Sequence, residues 1–63
     1  RMEESEVTRE ALAIMREHGS KAALIAGALA TSAVSKQDAT QFHFWNRVTD
    51  TIKDLERRNQ IPP

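Results

Sequence analysis

The sequence predicts an all-α protein of three helices, and three observations support this fold class. Apolar residues recur at helical spacing in the first and the last third of the chain. Between them, residues 22–34 read AALIAGALATSAV, and no charged residue occurs between Lys21 and Lys36. No stretch shows the alternation typical of a half-buried strand. We therefore expect one helical domain over residues 1–63, with an irregular tail at 59–63.

The first helix is predicted at about residues 4–18. When each residue is turned by about 100°, its apolar arc consists of Val7, Ala11, Leu12, Ile14, Met15 and His18. Acidic residues at its start favour the positive end of the helix dipole, and Gly19 is a typical C-terminal stop. His18 lies at the end of this arc, and we expect it to be half-buried and hydrogen-bonded to the backbone.

The second helix is predicted at about residues 20–34, with the Ser20 hydroxyl as its N-terminal cap. It separates by size into two faces, and neither is charged. The small face comprises Ala22, Ala23, Ala26, Gly27, Ala30, Ala33 and Val34, and opposite it lie Leu24, Ile25, Ala28, Leu29 and Ser32. We expect the alanines and glycine of the small face to permit close approach of a neighbouring helix.

The third helix is predicted at about residues 38–58, capped by Ser35 or by Asp38. One stripe at helical spacing contains Phe44, Trp45, Val48, Ile52 and Leu55. Pro62 and Pro63 keep the tail from being helical. Short joints on both sides place the second helix in the middle of the fold.

Composition makes self-association the expected way to complete this fold. A chain of 63 residues buries only about 60% of the surface that it exposes when unfolded. It contains no cysteine, so disulfides cannot compensate. A helix that is apolar on all sides must also be covered on all sides, which two amphipathic neighbours do not achieve. We therefore expect a homo-oligomer, and a dimer first.

The contact residues of this oligomer are predicted on the bulkier face of the second helix and at the aromatic cluster. Phe42, Phe44 and Trp45 lie within one helical turn, and Phe42 sits at the edge of the apolar stripe, as interface anchors do. The predicted contact set is Leu24, Ile25, Ala28, Leu29, Phe42 and Trp45.

The sequence favours a cytoplasmic protein without a membrane role. The apolar segment is shorter than the roughly 20 residues that a spanning helix needs. The chain begins with an acidic run, whereas a secretory signal begins with basic residues. Arg1 precedes Met2, and we expect Met2 to be the natural first residue.

No motif predicts catalysis, a cofactor, a metal or a small-molecule substrate, so we do not expect an enzyme. His18 and His43 do not form the H-x-x-x-H spacing of a metal site, and His43 falls on the polar side of the third helix. Ser5, Ser20 and Ser35 lie near helix starts, where capping explains them, and no serine has a G-x-S-x-G context.

A helix-turn-helix-like regulator that binds nucleic acid is the alternative function. Three short helices with tight joints are compatible with such a module. Its phosphate contacts would be Lys36, Arg47, Lys53, Arg57 and Arg58. However, Asp38, Asp50, Asp54 and Glu56 are interleaved with them, and the formal net charge is zero. This balance disfavours nucleic-acid binding, which usually requires a basic stripe.

The order ALAIMREHGSKAALIAGALA followed by DATQFHFWNRVTDTIKDL resembles a family of small alphaproteobacterial proteins. Its members show an apolar helix ending in His-Gly, an alanine-rich helix, a Gly-Asp break, and a helix with tryptophan and Ile-x-x-Leu. The matching residues here are His18, Gly19, Ala22, Ala26, Asp38, Trp45, Ile52 and Leu55, whereas Gln37 stands where glycine is usual. The resemblance implies a compact helical protein of the bacterial cytoplasm, and it brings no assigned activity.

Overall fold

The computed structural model describes residues 4–59, and over this range all regular structure is helical. Helix α1 spans Glu4–His18, α2 spans Ala22–Ser35 and α3 spans Ala39–Asn59. A 3₁₀ turn, Gly19–Lys21, joins α1 to α2. The predicted all-α fold is therefore confirmed, and each helix boundary lies within two residues of its prediction. Asn59, predicted as the first residue of the irregular tail, is the last residue of α3. The rest of the predicted tail lies outside the described residues, as do Arg1 and Met2.

The first joint differs from its prediction at Ser20. Gly19 adopts φ +58, a left-handed conformation that ends α1, and the 3₁₀ turn follows at once. Lys21 occupies the N-cap position of α2 and makes no side-chain cap hydrogen bond, while Ala22 donates its backbone N–H to the Gly19 carbonyl. Ser20 is therefore not the cap. The tighter turn satisfies a backbone carbonyl that a longer loop would leave without a partner.

The second joint consists of Lys36, Gln37 and Asp38. Gln37 has φ +58, and its backbone N–H donates a hydrogen bond to the Val34 carbonyl at 2.9 Å. The backbone N–H of Gln41 donates a hydrogen bond to Asp38 Oδ1 at 3.1 Å, so Asp38 is the N-cap of α3. Of the two predicted caps, the structure uses Asp38. This short connection folds α3 back along α2, and these two helices form the most extensive helix pair.

The core lies where all three helices meet. Val7 of α1 and Val48 and Ile52 of α3 are its largest fully buried side chains. The cluster consists of Val7, Ala11, Ile14, Ala22, Ala26, Val48 and Ile52, with Met15, Ala23, Ile25, Phe44 and Trp45 packed around it. Helix α2 supplies only alanine to the fully buried part, and Ala30 and Ala33 extend its buried side towards α3. The predicted small face is thus mainly the inward face.

Three residues do not lie where the helical wheel placed them. Leu12, predicted on the buried arc of α1, is 46% exposed, and Val34, predicted on the small face of α2, is 56% exposed. Both lie at the edge of their arcs, beyond the width that the neighbouring helix covers. A Cβ atom added at Gly27 would meet nothing within 4 Å. Alanine rather than Gly27 therefore provides the close helix approach.

Candidate functional site

The most unusual surface of the protein is the outer face of α2, which we define as Leu24, Gly27, Ala28, Thr31 and Val34. Leu24 is 72% exposed, more than any other large hydrophobic residue in the described part of the chain. Ala28 and Thr31 are exposed as well, and the Thr31 hydroxyl donates to the Gly27 carbonyl at 3.1 Å. The hydroxyl is thus turned back onto its own helix, which leaves the face largely apolar.

Two grooves flank the contact between α2 and α3. The first, which we call the Val34 groove, has a volume of 210 Å³ and is lined by Ala33, Val34, Gln37, Asp38, Ala39 and Phe42. The second, the Trp45 groove, has a volume of 460 Å³ and is lined by Leu29, Ser32, Ala33, Lys36, Asp38, Gln41 and Trp45. Ala33 and Asp38 line both grooves, so the two grooves adjoin one another along the contact between α2 and α3.

The aromatic cluster is fixed by local contacts within α3. Trp45 donates its indole Nε1–H to Gln41 Oε1 at 3.1 Å, and its ring meets Phe44 edge to face with centroids 5.0 Å apart. Phe42 is half-buried and meets His43 edge to face at 5.5 Å. The partly buried Trp45 has its polar group satisfied, and it forms a wall of its groove that is already ordered without a partner.

The six predicted contact residues are distributed over four places. Leu24 and Ala28 lie on the outer face, and Phe42 lines the Val34 groove. Leu29, which is 38% exposed, and Trp45 line the Trp45 groove. Ile25 is half-buried against the core. The set is not one continuous patch, because Phe42 lines a different groove from Leu29 and Trp45, and Ile25 packs against the core.

Val34 and Leu12 are surface residues that the helical periodicity placed on packed faces. Val34 could have been found, because it precedes the joint by two residues and the last turn of a helix is covered only if the next helix passes over it. Leu12 gave no comparable signal, because its exposure depends on how wide a stripe of α1 the other helices cover. Together with Leu24 they form the three most exposed large hydrophobic residues in the described range.

The three arginines of α3 form ion pairs. Arg47 binds the Glu4 carboxylate at the start of α1, a contact that joins two helices. Arg57 and Arg58 both bind Asp54, at 2.7 Å and 3.1 Å. All of these side chains are substantially exposed, so the pairs are worth little in stability. They do, however, occupy three of the cations that a nucleic-acid surface would use.

The two histidines lie on the surface. His18 is exposed, and its Nε2 lies 3.7 Å from Glu17 Oε1, so its recorded partner is a neighbouring carboxylate rather than the backbone. The prediction of a half-buried His18 is therefore wrong, because the apolar arc of α1 ends one turn earlier at Ile14 and Met15. His43 is exposed on α3, as predicted.

Neither a metal centre nor a membrane-crossing helix is recognisable between residues 4 and 59. Histidine, cysteine and acidic side chains in this range form no group of three or more with the proximity of a metal site. No helix in it is both long enough and apolar enough to span a bilayer. What the arrangement offers instead is an apolar face with grooves beside it.

These features define a small all-α protein whose central helix turns an apolar face to the outside. No family model, curated protein or solved structure matches the chain. Inferences about function therefore rest on the geometry of the protein itself.

Proposed function

We propose that this protein acts in the cytoplasm through protein–protein contacts, with self-association first and no catalysis of its own. The observation that carries the proposal is the orientation of α2. Its alanines at positions 22, 26, 30 and 33 are buried, and Leu24 is turned outward at 72% exposure. Contiguous apolar surface on a small protein usually marks a contact site.

Burial of Leu24 would stabilise a dimer appreciably. Transfer of a whole leucine side chain from water contributes about 1.5–3 kcal/mol. With most of Leu24 accessible in each of two copies, a symmetric contact gains about 2–4 kcal/mol from this residue. Association costs at least about 4 kcal/mol in lost freedom of motion. Leu24 therefore serves as an anchor, and the rest of the outer face must contribute to the contact.

Charge supports a protein partner over a nucleic acid. The formal net charge is zero, and Arg47, Arg57 and Arg58 are bound to carboxylates. Each of these arginines would have to leave its partner before it could contact a phosphate. The helix-turn-helix-like alternative thus requires a rearrangement, whereas contact through the outer face requires none.

The test is the molecular mass measured by sedimentation equilibrium over a dilution series. We expect the unmodified protein to change from dimer to monomer on dilution. Leu24→Glu should be monomeric at every concentration, because it places a charge in the contact, and its helical circular dichroism should be unchanged. Asn46→Glu adds the same charge at an exposed position of α3, and it should behave like the unmodified protein.

Two results would contradict the proposal. A monomer at all concentrations, with normal helicity, would exclude self-association. Binding of duplex DNA at about 50 mM salt that weakens steeply as salt increases would favour the nucleic-acid alternative.

A further inference from the structure

Four residues of the outer face have the spacing of the contact positions in a coiled coil. Leu24, Gly27, Thr31 and Val34 are spaced by three, four and three residues, which is the a/d pattern of a heptad. This order of spacings is the same when it is read from either end of the helix. Two copies of α2 running in opposite directions can therefore match along these four residues, which we call the seam, with Leu24 opposite Val34 and Gly27 opposite Thr31.

The two ends of the seam are complementary in shape. Leu24 projects into solvent at one end, and the Val34 groove lies at the other end. The groove is a surface depression of 210 Å³, open to solvent and lined in part by Val34 and Phe42. A leucine side chain, which has four carbon atoms, can enter it from outside and contact both residues.

The middle of the seam allows two backbones to approach closely. A Cβ atom at Gly27 would meet nothing within 4 Å, so the space over this residue is open. Thr31 points its hydroxyl at the Gly27 carbonyl, which leaves its methyl group for contact with a partner. Between Ala22 and Ser35 there is no charged side chain, so two copies of α2 meet without burying a charge.

We infer that the dimer is an antiparallel pair of α2 helices in which Leu24 of each copy enters the Val34 groove of the other. The two-fold axis crosses the outer face midway between Leu24 and Val34. This inference rests on the proposed self-association and specifies its register. Helix dipoles that run in opposite directions favour the arrangement. Each Leu24 then contacts Phe42 as well as Val34, whereas the Trp45 groove stays outside the contact.

Cysteine cross-linking tests the register directly, because the natural chain has no cysteine. The variants Leu24→Cys and Val34→Cys are prepared separately, mixed, allowed to exchange and oxidised. In the inferred dimer, Leu24 lies beside Val34 of the partner, while the two Leu24 positions are about 15 Å apart along the axis. That separation is beyond the reach of a disulfide. We expect the mixture to cross-link several-fold faster than either variant alone.

Lys53→Cys mixed with Leu24→Cys is the control for random collision, since Lys53 is exposed on α3 and away from the seam. Faster cross-linking of Leu24→Cys with itself would indicate a parallel pair and overturn the inferred register, although self-association would stand. A protein that sediments as a monomer throughout would overturn the proposed function as well, leaving a different protein as the occupant of the outer face.

Gly27→Leu provides a second readout. Its side chain enters open space in the monomer, so the fold should be retained, and helix propensity improves by about 1 kcal/mol. In the inferred dimer the same side chain separates the two helices, so dimerisation should weaken by at least an order of magnitude. A dimer of undiminished affinity in Gly27→Leu would show that the helices do not cross there.

Discussion

Asp38 donates its backbone N–H to the carbonyl oxygen of Ala33 at 2.9 Å, closing a ring of six residues around the end of α2. The Gln37 amide donates to Val34 inside this ring, and Gln37 itself adopts φ +58. This pattern is the Schellman motif, in which the left-handed position is usually glycine. The chain thus turns between α2 and α3 through a conformation that costs a residue with a side chain about 1–2 kcal/mol.

Replacing Gln37 with glycine should therefore stabilise the protein. The strain at φ +58 is relieved, and part of the gain is offset by the greater freedom of glycine in the unfolded chain. We expect Gln37→Gly to raise the free energy of unfolding by about 0.5–1 kcal/mol. Urea denaturation followed by circular dichroism, at one fixed protein concentration, measures this change.

Gly19→Ala is the converse change at the other joint. Gly19 also has φ +58, and an added Cβ would meet no atom within 4 Å, so the cost is conformational only. We expect the free energy of unfolding to fall by about 1 kcal/mol in the same denaturation experiment. If both substitutions had the same sign, backbone strain would not be the cause of either effect.

Asp38→Ala should remove the N-cap of α3. The Gln41 amide loses its acceptor, the Asp38 carboxylate, and a helix cap of this kind contributes about 1 kcal/mol. Asp38→Asn keeps an acceptor oxygen and should retain most of this stability. Thermal unfolding of the two variants at equal concentration distinguishes them, and equal losses in both would mean that the cap bond contributes nothing.

Ala26→Leu tests which side of α2 faces the core. Ala26 is fully buried between α2 and its neighbours, so a larger side chain should force the helices apart at a cost of about 1–3 kcal/mol. Ala28→Leu makes the identical change on the exposed side and, compared at a protein concentration low enough for both variants to be monomeric, should not destabilise the fold. Denaturation midpoints that fell equally for both variants would contradict the observed orientation of α2.

Ile52 should be the most sensitive core position tested by truncation. It is completely buried and packs in the cluster that joins all three helices. We expect Ile52→Ala to lower the free energy of unfolding by about 2–5 kcal/mol, and Ile52→Val by about 0.5–1.5 kcal/mol. In a chain of this size the larger loss should be visible as reduced helicity at room temperature. A normal melting curve for Ile52→Ala would place the core elsewhere.

Much of the fold could be predicted because it follows from local signals. The stripe that contains Val48 and Ile52 has helical spacing, and both residues are fully buried. Asp38 lies just before a helical stretch with glutamine three residues later, which is a recognised N-terminal pattern. In a complete capping box the Gln41 side chain would also accept a hydrogen bond from the backbone N–H of Asp38. Here the Gln41 side chain accepts from Trp45 instead, and the backbone N–H of Asp38 donates to the Ala33 carbonyl.

The candidate site was less predictable, since the same helical periodicity of α2 allows the two neighbouring helices to bury different sets of its residues. The sequence placed Leu24 and Leu29 on one face; in the structure Leu24 is 72% exposed, whereas Leu29 is 38% exposed and lines the Trp45 groove beside α3. Ser20 was predicted as the N-cap of α2, but it lies inside the 3₁₀ turn Gly19–Lys21, and Lys21 occupies the N-cap position. Both outcomes depend on how tightly the joints turn, which pattern and composition do not specify.

The sequence by itself determined three helices, their approximate ends and the alanine side of α2, because periodicity, glycine and capping residues act over a few neighbours. The tertiary structure decided which apolar residues are left outside. Leu24 and Val34 are exposed because α2 is covered only on the side of its four buried alanines, and a helix covered on one side keeps the other side accessible. The two grooves follow from the same packing, since they form only where α2 and α3 meet.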